Sequence, residues 1–337
     1  MKPVDYHGRR AFSIESSSLE VVVSVEGGHV AAITHKASGV NPLWLPPWKS
    51  IEPTTYSPEK HPEYGGNAES KLLCGILGHN LCLDLFGPPT PDEAALGNSV
   101  HGEANIVRHE FSESPGGLTH SCELPMSGLA FSRRLKLVGE TLEFEETVRN
   151  LSGTDRPIGW TQHVTLGPPF LERGVTKFDV PGTKGRTFES DFTNGKGAMA
   201  IAQTFDWPKM PGRDGKAHDL STYWSDPVAA GFVAILMDPH RDRASFTANG
   251  KGVSLTYDWK RSDFPWLGIW DECHAREHAP WNGRAITRGM EFGASPFPET
   301  RRAMIERREL FGVPGYRWIG ARGSATVAYT AKLTRSH

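Results

Sequence analysis

The sequence is poor in the features that mark several specialised classes. It has four cysteines in 337 residues, Cys74, Cys82, Cys122 and Cys273, and no two of them form a CxxC pair. That spacing argues against a zinc ribbon or a thioredoxin-like redox pair and predicts reduced thiols. No apolar run approaches the ~18 residues of a membrane helix. The opening stretch MKPVDYHGRRAF lacks the apolar centre of an export signal, which predicts a cytoplasmic protein. Charge of neither sign is in excess: 37 Lys and Arg face 39 Asp and Glu. There is therefore no electrostatic footprint for nucleic acid and no polybasic patch for a membrane. Phosphate-cradling loops (GxxxxGK[ST], or GxGxxG after a strand) and the GxSxG nucleophile elbow are absent. No internal repeat, low-complexity tract or interdomain linker interrupts the chain.

What is abundant points to strands and turns. Glycine (36), proline (25) and a 10% aromatic share favour short strands over long helices. Leu19–Val25 (LEVVVSV), a Gly27-Gly28 turn and His29–Thr34 read as a hairpin. Asn41–Gly66, rich in Pro, Trp and Tyr, reads as a long ordered loop of the kind that walls a site. Strands follow at NIVRHEF, LTHSCELP, LAFSRRLKLV and TLEFEETVRN, the last two joined across Gly139-Glu140. Others are expected at Gly231–Met237, Gly252–Trp259, Trp266–Trp270, Gly289–Gly293 and Ser324–Leu333. One helix is expected over Glu299–Leu310. The pattern fits an all-β chain with few short helices, built as one large antiparallel sandwich over residues 1–337.

The stretch GWTQHVTLGPPF, Gly159–Phe170, stands out. Ile158, Trp160, Gln162, Val164 and Leu166 alternate with Gly159, Thr161, His163 and Thr165, the period of a strand. One face is mostly large and apolar. The other is small and polar, with His163 at its centre, and Gly167-Pro168-Pro169 ends the strand. Two further polar positions share this character. His101 precedes Gly102, where a ligand or backbone can approach closely. Glu291 lies in Gly289-Met290-Glu291-Phe292-Gly293. Taken singly, each has an ordinary structural explanation as a satisfied core histidine or a paired carboxylate.

Metal readings were weighed on spacing. His101-Gly102-Glu103 has the H-x-E of zinc deaminases without their P-C-x-x-C. His274 and His278, in the run Asp271–His278, are spaced as on a metal-binding helix, but the order is not HExxH. Cys74, His79 and Cys82 lack a second cysteine pair. No metal and no cofactor is expected.

The order of signals resembles the aldose 1-epimerase, or galactose mutarotase-like, superfamily. It comprises a Gly-Gly hairpin, a central His-Gly, the run LKLVGETLEFEETVRNLSGTDRPIGWTQHVTLGPPF and a late Gly-Met-Glu-Phe-Gly before a terminal strand. The similarity covers roughly Leu19–Leu333 and is most specific over Leu135–Leu171. It implies a β-supersandwich whose concave face carries the site, and interconversion of sugar anomers by ring opening. By that resemblance Glu291 matches the general base at the anomeric hydroxyl and His163 the general acid at the ring oxygen. His101 matches the second histidine, which steadies developing charge near the ring oxygen. Ring opening needs a proton removed from one oxygen and one delivered to its neighbour, which a carboxylate and an imidazolium together supply.

Departures from the family pattern are also visible. The histidine strand reads HVTLGPPF where the family has HxYFNL, and the family's early arginine is missing. Asn80 and Lys71 stand near its place, and Asp263 and Asp271 are candidates for a substrate-binding aspartate. Trp266, Trp270 and Trp281 are further candidates for lining the site. Trp160 and Gln162 alternate to the face away from His163, which argues against those two. The implied partner is a small carbohydrate of undefined identity. Two alternatives use the same fold: a carbohydrate-binding or sensing protein without turnover, and a different sugar isomerase or lyase.

Overall fold

Two antiparallel sheets carry the chain, and the computed structural model describes residues 1–193 and 195–336. The larger sheet has 12 strands. Its middle runs Val30–His35, His79–Asp84, Arg156–Leu166, Ile286–Gly293, Trp266–Cys273 and Ala229–Met237. The smaller sheet has 8 strands, centred on Val253–Lys260, Ser324–Arg335, Thr141–Asn150 and Leu129–Val138. This is the mostly antiparallel β-sandwich expected from the strand-and-turn pattern.

The two sheets differ in how their strands are buried. Thr141–Asn150 alternates: Leu142, Phe144, Glu146 and Val148 are buried, while Glu143, Glu145 and Arg149 are exposed. Such a strand has one dry and one wet face. From Ile158 onward, Arg156–Leu166 is buried on both faces. It sits mid-sheet, with the sandwich core on one side and a covered cavity on the other. Phe292 stacks on Trp259 of the opposite sheet at 4.3 Å between centroids, and His79 meets Phe144 at 5.5 Å. Each fully buried apolar side chain in this layer contributes about 1.5–3 kcal/mol.

The core also holds a buried ion pair. Arg133 Nε donates to Glu146 Oε1 at 2.7 Å, and Trp160 Nε1 and Gln162 Nε2 donate to Glu146 Oε2 at 3.0 and 2.7 Å. Trp160 and Gln162 thus face away from His163, as their alternation requires.

Several local expectations shift. The helix spans Arg301–Arg307 rather than Glu299–Leu310. Thr300 caps it by accepting from Ala303 N, and Arg308, at φ 60°, ends it. In Asn105–Phe111 only the last two residues enter a strand, because Ile106 and Val107 close a turn on Glu103 O. The loop Asn41–Gly66 does not line the cavity. Its Trp44 and Trp48 pack behind Trp281, at 6.0 and 5.1 Å. The edge strand Lys2–Tyr6 and its neighbour Arg9–Glu15 lack a clear apolar alternation in sequence, and Arg9 itself is buried by pairing with Glu52 at 3.0 Å. No helix among the described residues is long and apolar enough to cross a membrane.

Candidate active site

Residues directly opposite in an antiparallel pair share a face. Through four neighbouring pairings, Asn80, His163, Glu291, Gly268 and Ala234 form one row across the larger sheet. The next row is Thr165, Gly289, Trp270 and Phe232. Glycine is required where it stands. A Cβ at Gly289 would lie 2.2 Å from Glu291 Oε1, and one at Gly268 would lie 2.6 Å from the Phe232 ring. The glycines around Glu291 clear the space its carboxyl occupies.

His163 Nε2 lies 3.0 Å from Glu291 Oε1, with both side chains almost wholly buried. The pair is close but not aligned as a hydrogen bond, and among the described residues Glu291 Oε1 has no hydrogen-bond partner. His163 Nδ1 lies 2.9 Å from Thr165 Oγ1, which sets the ring's orientation. His101 reaches the same place from the far side, with its ring 5.0 Å from that of His163. Its backbone is left-handed, φ 69°, and Gly102 beside it packs so closely that a Cβ would lie 2.2 Å from Leu83 O. A left-handed non-glycine residue is held only where its surroundings over-determine it.

These side chains floor a cavity of about 610 Å³. Its lining is mainly apolar: Leu72, Leu73, Val100, Phe188, Phe192, Phe232, Trp270 and Trp281. Glu69, Arg276, Glu189, Glu299 and Arg307 are its charged lining residues. Arg307 is charge-paired, bonding Glu299 at 2.8 Å and Glu189 at 2.7 Å.

Burial governs the protonation of this floor. It pushes Glu291 well above the usual carboxylate range, with a smaller push from the charge of Asp271. It pulls His163 well below the usual imidazole value, and the neighbouring His101 adds to that. His101 falls to about 4 for the same reason. In the closely spaced pair, burial favours acid plus imidazole over carboxylate plus imidazolium. The tautomer of His101 follows from its partner. Phe86 O, 2.5 Å from Nδ1, can only accept, so the proton sits on Nδ1 and Nε2 is left as an acceptor.

The other sequence candidates divide. Trp270 and Trp281 line the cavity, and Trp270 lies 5.8 Å from His163. Asn80 flanks His163 in the floor row. It is fully buried, both of its amide atoms lack partners, and it does not itself line the cavity. Lys71 lies on the short helix Ser70–Leu73, whose leucines line the cavity while Lys71 does not. Trp266 shares the floor face one row away but is closed off, its Nε1 donating to Pro314 O at 2.9 Å. Asp271 points the other way, because strand alternation puts it on the core face. There it grips Arg288 through two bonds of 2.7 and 2.8 Å. A ligand in the cavity does not reach it, so it is withdrawn as a binding residue. Asp263 pairs with Arg317 at 3.5 Å, away from the cavity. The histidines of the Asp271–His278 run diverge, His274 to Gly283 O and His278 to Glu69. Among the described residues no three His, Cys, Asp or Glu side chains are grouped to hold a metal.

Sequence reasoning passed over Phe188, Phe192, Phe232 and Arg276. Phe232 was legible only as one apolar residue in a run buried on both faces. Arg276 sat inside a run read for its histidines.

With this geometry in hand, the chain can be set beside known proteins. No protein-family model matches it, and no curated protein does. Solved structures do match, and they show the galactose mutarotase-like fold. One is a protein from Klebsiella pneumoniae provisionally called an aldose 1-epimerase, with a TM-score of 0.68 and 14% identity over 97% of this chain and 80% of that one. Another is a galactose mutarotase-like protein from Clostridium acetobutylicum, with a TM-score of 0.65 and 14% identity over 99% and 98% of the two chains. A third is a galactose mutarotase-like protein from Lactobacillus casei, with a TM-score of 0.62 and 14% identity over 96% and 100%. The sequence is divergent within that fold.

Proposed function

We propose that the protein interconverts the anomers of a sugar by ring opening and reclosure, with Glu291 and His163 as the proton-transferring pair. One observation carries this reading: a carboxyl and an imidazole 3.0 Å apart, buried on the floor of a cavity large enough for a sugar. The chemistry needs one group to take the O1 proton while another protonates the ring oxygen.

Burial, which raises Glu291, favours the proton on its carboxyl. One transfer across 3.0 Å yields carboxylate and imidazolium. In that form Glu291 accepts the proton from O1 and His163 donates to the ring oxygen. The C1–O5 bond breaks and an open aldehyde forms. Rotation about C1–C2 and the same transfers in reverse close the other anomer. His101, neutral with Nε2 free, serves as an acceptor for a sugar hydroxyl. This replaces the charge-steadying role implied by the resemblance. Trp270 offers an aromatic face for the ring.

Magnetisation-transfer NMR between anomers tests this on a panel of hexoses, pentoses and sugar phosphates. Faster exchange for at least one sugar, lost in Glu291→Gln, is expected. A panel with no acceleration would favour binding without turnover.

A further inference from the structure

The cavity, about 610 Å³, is larger than one pyranose ring requires, and a second polar group, Arg276 with Glu69 and Trp281, lines it. Glu272 lies four residues along its strand from Gly268, the floor-row position beside Glu291. At the rise of a strand this is about 13 Å from the floor row. From the loop that follows, Arg276 reaches back over the intervening row. Its guanidinium lies 4.7 Å from the Trp281 ring, 5.3 Å from Phe192 and 5.5 Å from Trp270.

Arg276 approaches Glu69 and Glu272 at 3.6 and 3.5 Å, neither of them a hydrogen bond, and its side chain donates to no other described group. Trp281 is 1% exposed and lines the cavity, and its Nε1 is turned toward the Glu69 carboxylate without making an aligned hydrogen bond among the described residues. Glu272 is fully buried and does not itself line the cavity; it backs Arg276, whose Nε lies 3.5 Å from its Oε2. Buried donors and acceptors are ordinarily paired, and a donor left without an aligned partner is poised for a ligand's acceptor. A guanidinium, an indole N–H and a carboxylate around aromatic faces make up a site for a polyhydroxylated ring. Vicinal hydroxyls can satisfy the donors, and the ring can lie on the indole. Two carboxylates surround the one guanidinium, so there is no surplus positive charge for a phosphate.

We propose that Arg276, Trp281 and Glu69 form a second sugar subsite, and that the substrate is a reducing disaccharide or longer saccharide rather than a monosaccharide. The reducing ring sits on the His163–Glu291 floor and its neighbour under Arg276. The proposal rests on the floor being a sugar site, but binding at the second subsite is measurable without turnover.

The test follows the Trp281 indole N–H signal by NMR while titrating maltose, cellobiose and lactose against glucose, galactose and glucose 6-phosphate. Wild type and Glu291→Gln are compared. At least one disaccharide is expected to move the Trp281 signal in both proteins and to bind at least ~10-fold more tightly than its reducing-end monosaccharide. That advantage should shrink about 10-fold in Arg276→Gln, the loss of a bond to a charged donor. The result stands even if no sugar is turned over. Monosaccharide turnover with a Trp281 signal indifferent to every disaccharide overturns the proposal and leaves the anomerase reading intact. A signal that moves for glucose 6-phosphate alone overturns it in favour of an anionic ligand.

Discussion

Glu291 stands directly across the strand pair from His163, its Oε1 3.0 Å from Nε2, and no hydrogen bond is aligned between them. Two groups that share one proton act as a unit. Glu291→Gln and His163→Asn should each lower kcat by about 10²- to 10⁴-fold. The double variant should be little worse than either single one, because removing either member ends the transfer. Anomer-exchange NMR on all three, with circular dichroism to confirm folding, checks this. Additive losses would show that the two side chains act separately.

Gly289 supplies a sharper test of position. Its backbone is ordinary for a strand, so alanine adds only a methyl group, and that methyl would lie 2.2 Å from Glu291 Oε1. The clash falls on the free end of a side chain, which can swing away. Gly289→Ala should therefore fold, losing about 1–3 kcal/mol as an overpacked variant, while its anomer exchange falls at least ~10-fold. Full activity in a folded Gly289→Ala protein would mean that the observed carboxyl position is not the working one.

How much of this was readable in the sequence differs by element. The hairpin of Leu129–Val138 and Thr141–Asn150 was plain, because its strands alternate between core and water and Gly139 adopts the positive φ its turn needs. His163 and Glu291 were legible because each sits among small residues on a strand whose other face is large and apolar. Their pairing was not, since the sequence does not state that Arg156–Leu166 and Ile286–Gly293 are neighbours. Asp271 shows the same limit from the other side. A carboxylate two residues from a strand boundary can face either way, and only the register with Arg288 settles which. The cavity walls were the least legible part: Trp270 and Trp281 could be named as candidates, but Phe188, Phe192 and Phe232 come together only through tertiary packing.

Behind the site, Glu146 accepts from Arg133, Trp160 and Gln162 inside the sandwich. Taking away one partner of a buried ion pair leaves the other charged and unmatched. Glu146→Leu should cost about 3–5 kcal/mol, read as a lower urea midpoint with little change in slope. Arg133→Met combined with Glu146→Leu should recover much of that loss. A double variant less stable than the single one would contradict this account.

The buried histidines set the acid limit. Burial holds His79 at about 3 and His101 and His109 at about 4. His29, His120 and His163 are pulled well below their usual value, also chiefly by burial. Each group is therefore neutral in the fold, whereas in the unfolded chain it gains a proton near pH 6.5. Between those two values the unfolded state binds more protons, so stability falls as pH falls. The loss is about 1.4 kcal/mol per pH unit for each group. Glu272, Glu291 and Glu299 have the opposite sign: raised by burial, each adds stability at low pH that is lost as pH rises through its folded value. Three such carboxyls do not offset six histidines. Within about two units below pH 6.5 their combined cost reaches the ~5–15 kcal/mol that holds a folded protein together. Urea midpoints measured from pH 7.5 down to 4.5 should therefore drop steeply below pH 6.5, with unfolding before pH 4 even without denaturant. In His101→Gln the slope should be shallower by one group's share, and a midpoint unchanged between pH 7 and pH 5 would refute the burial of these rings as neutral species.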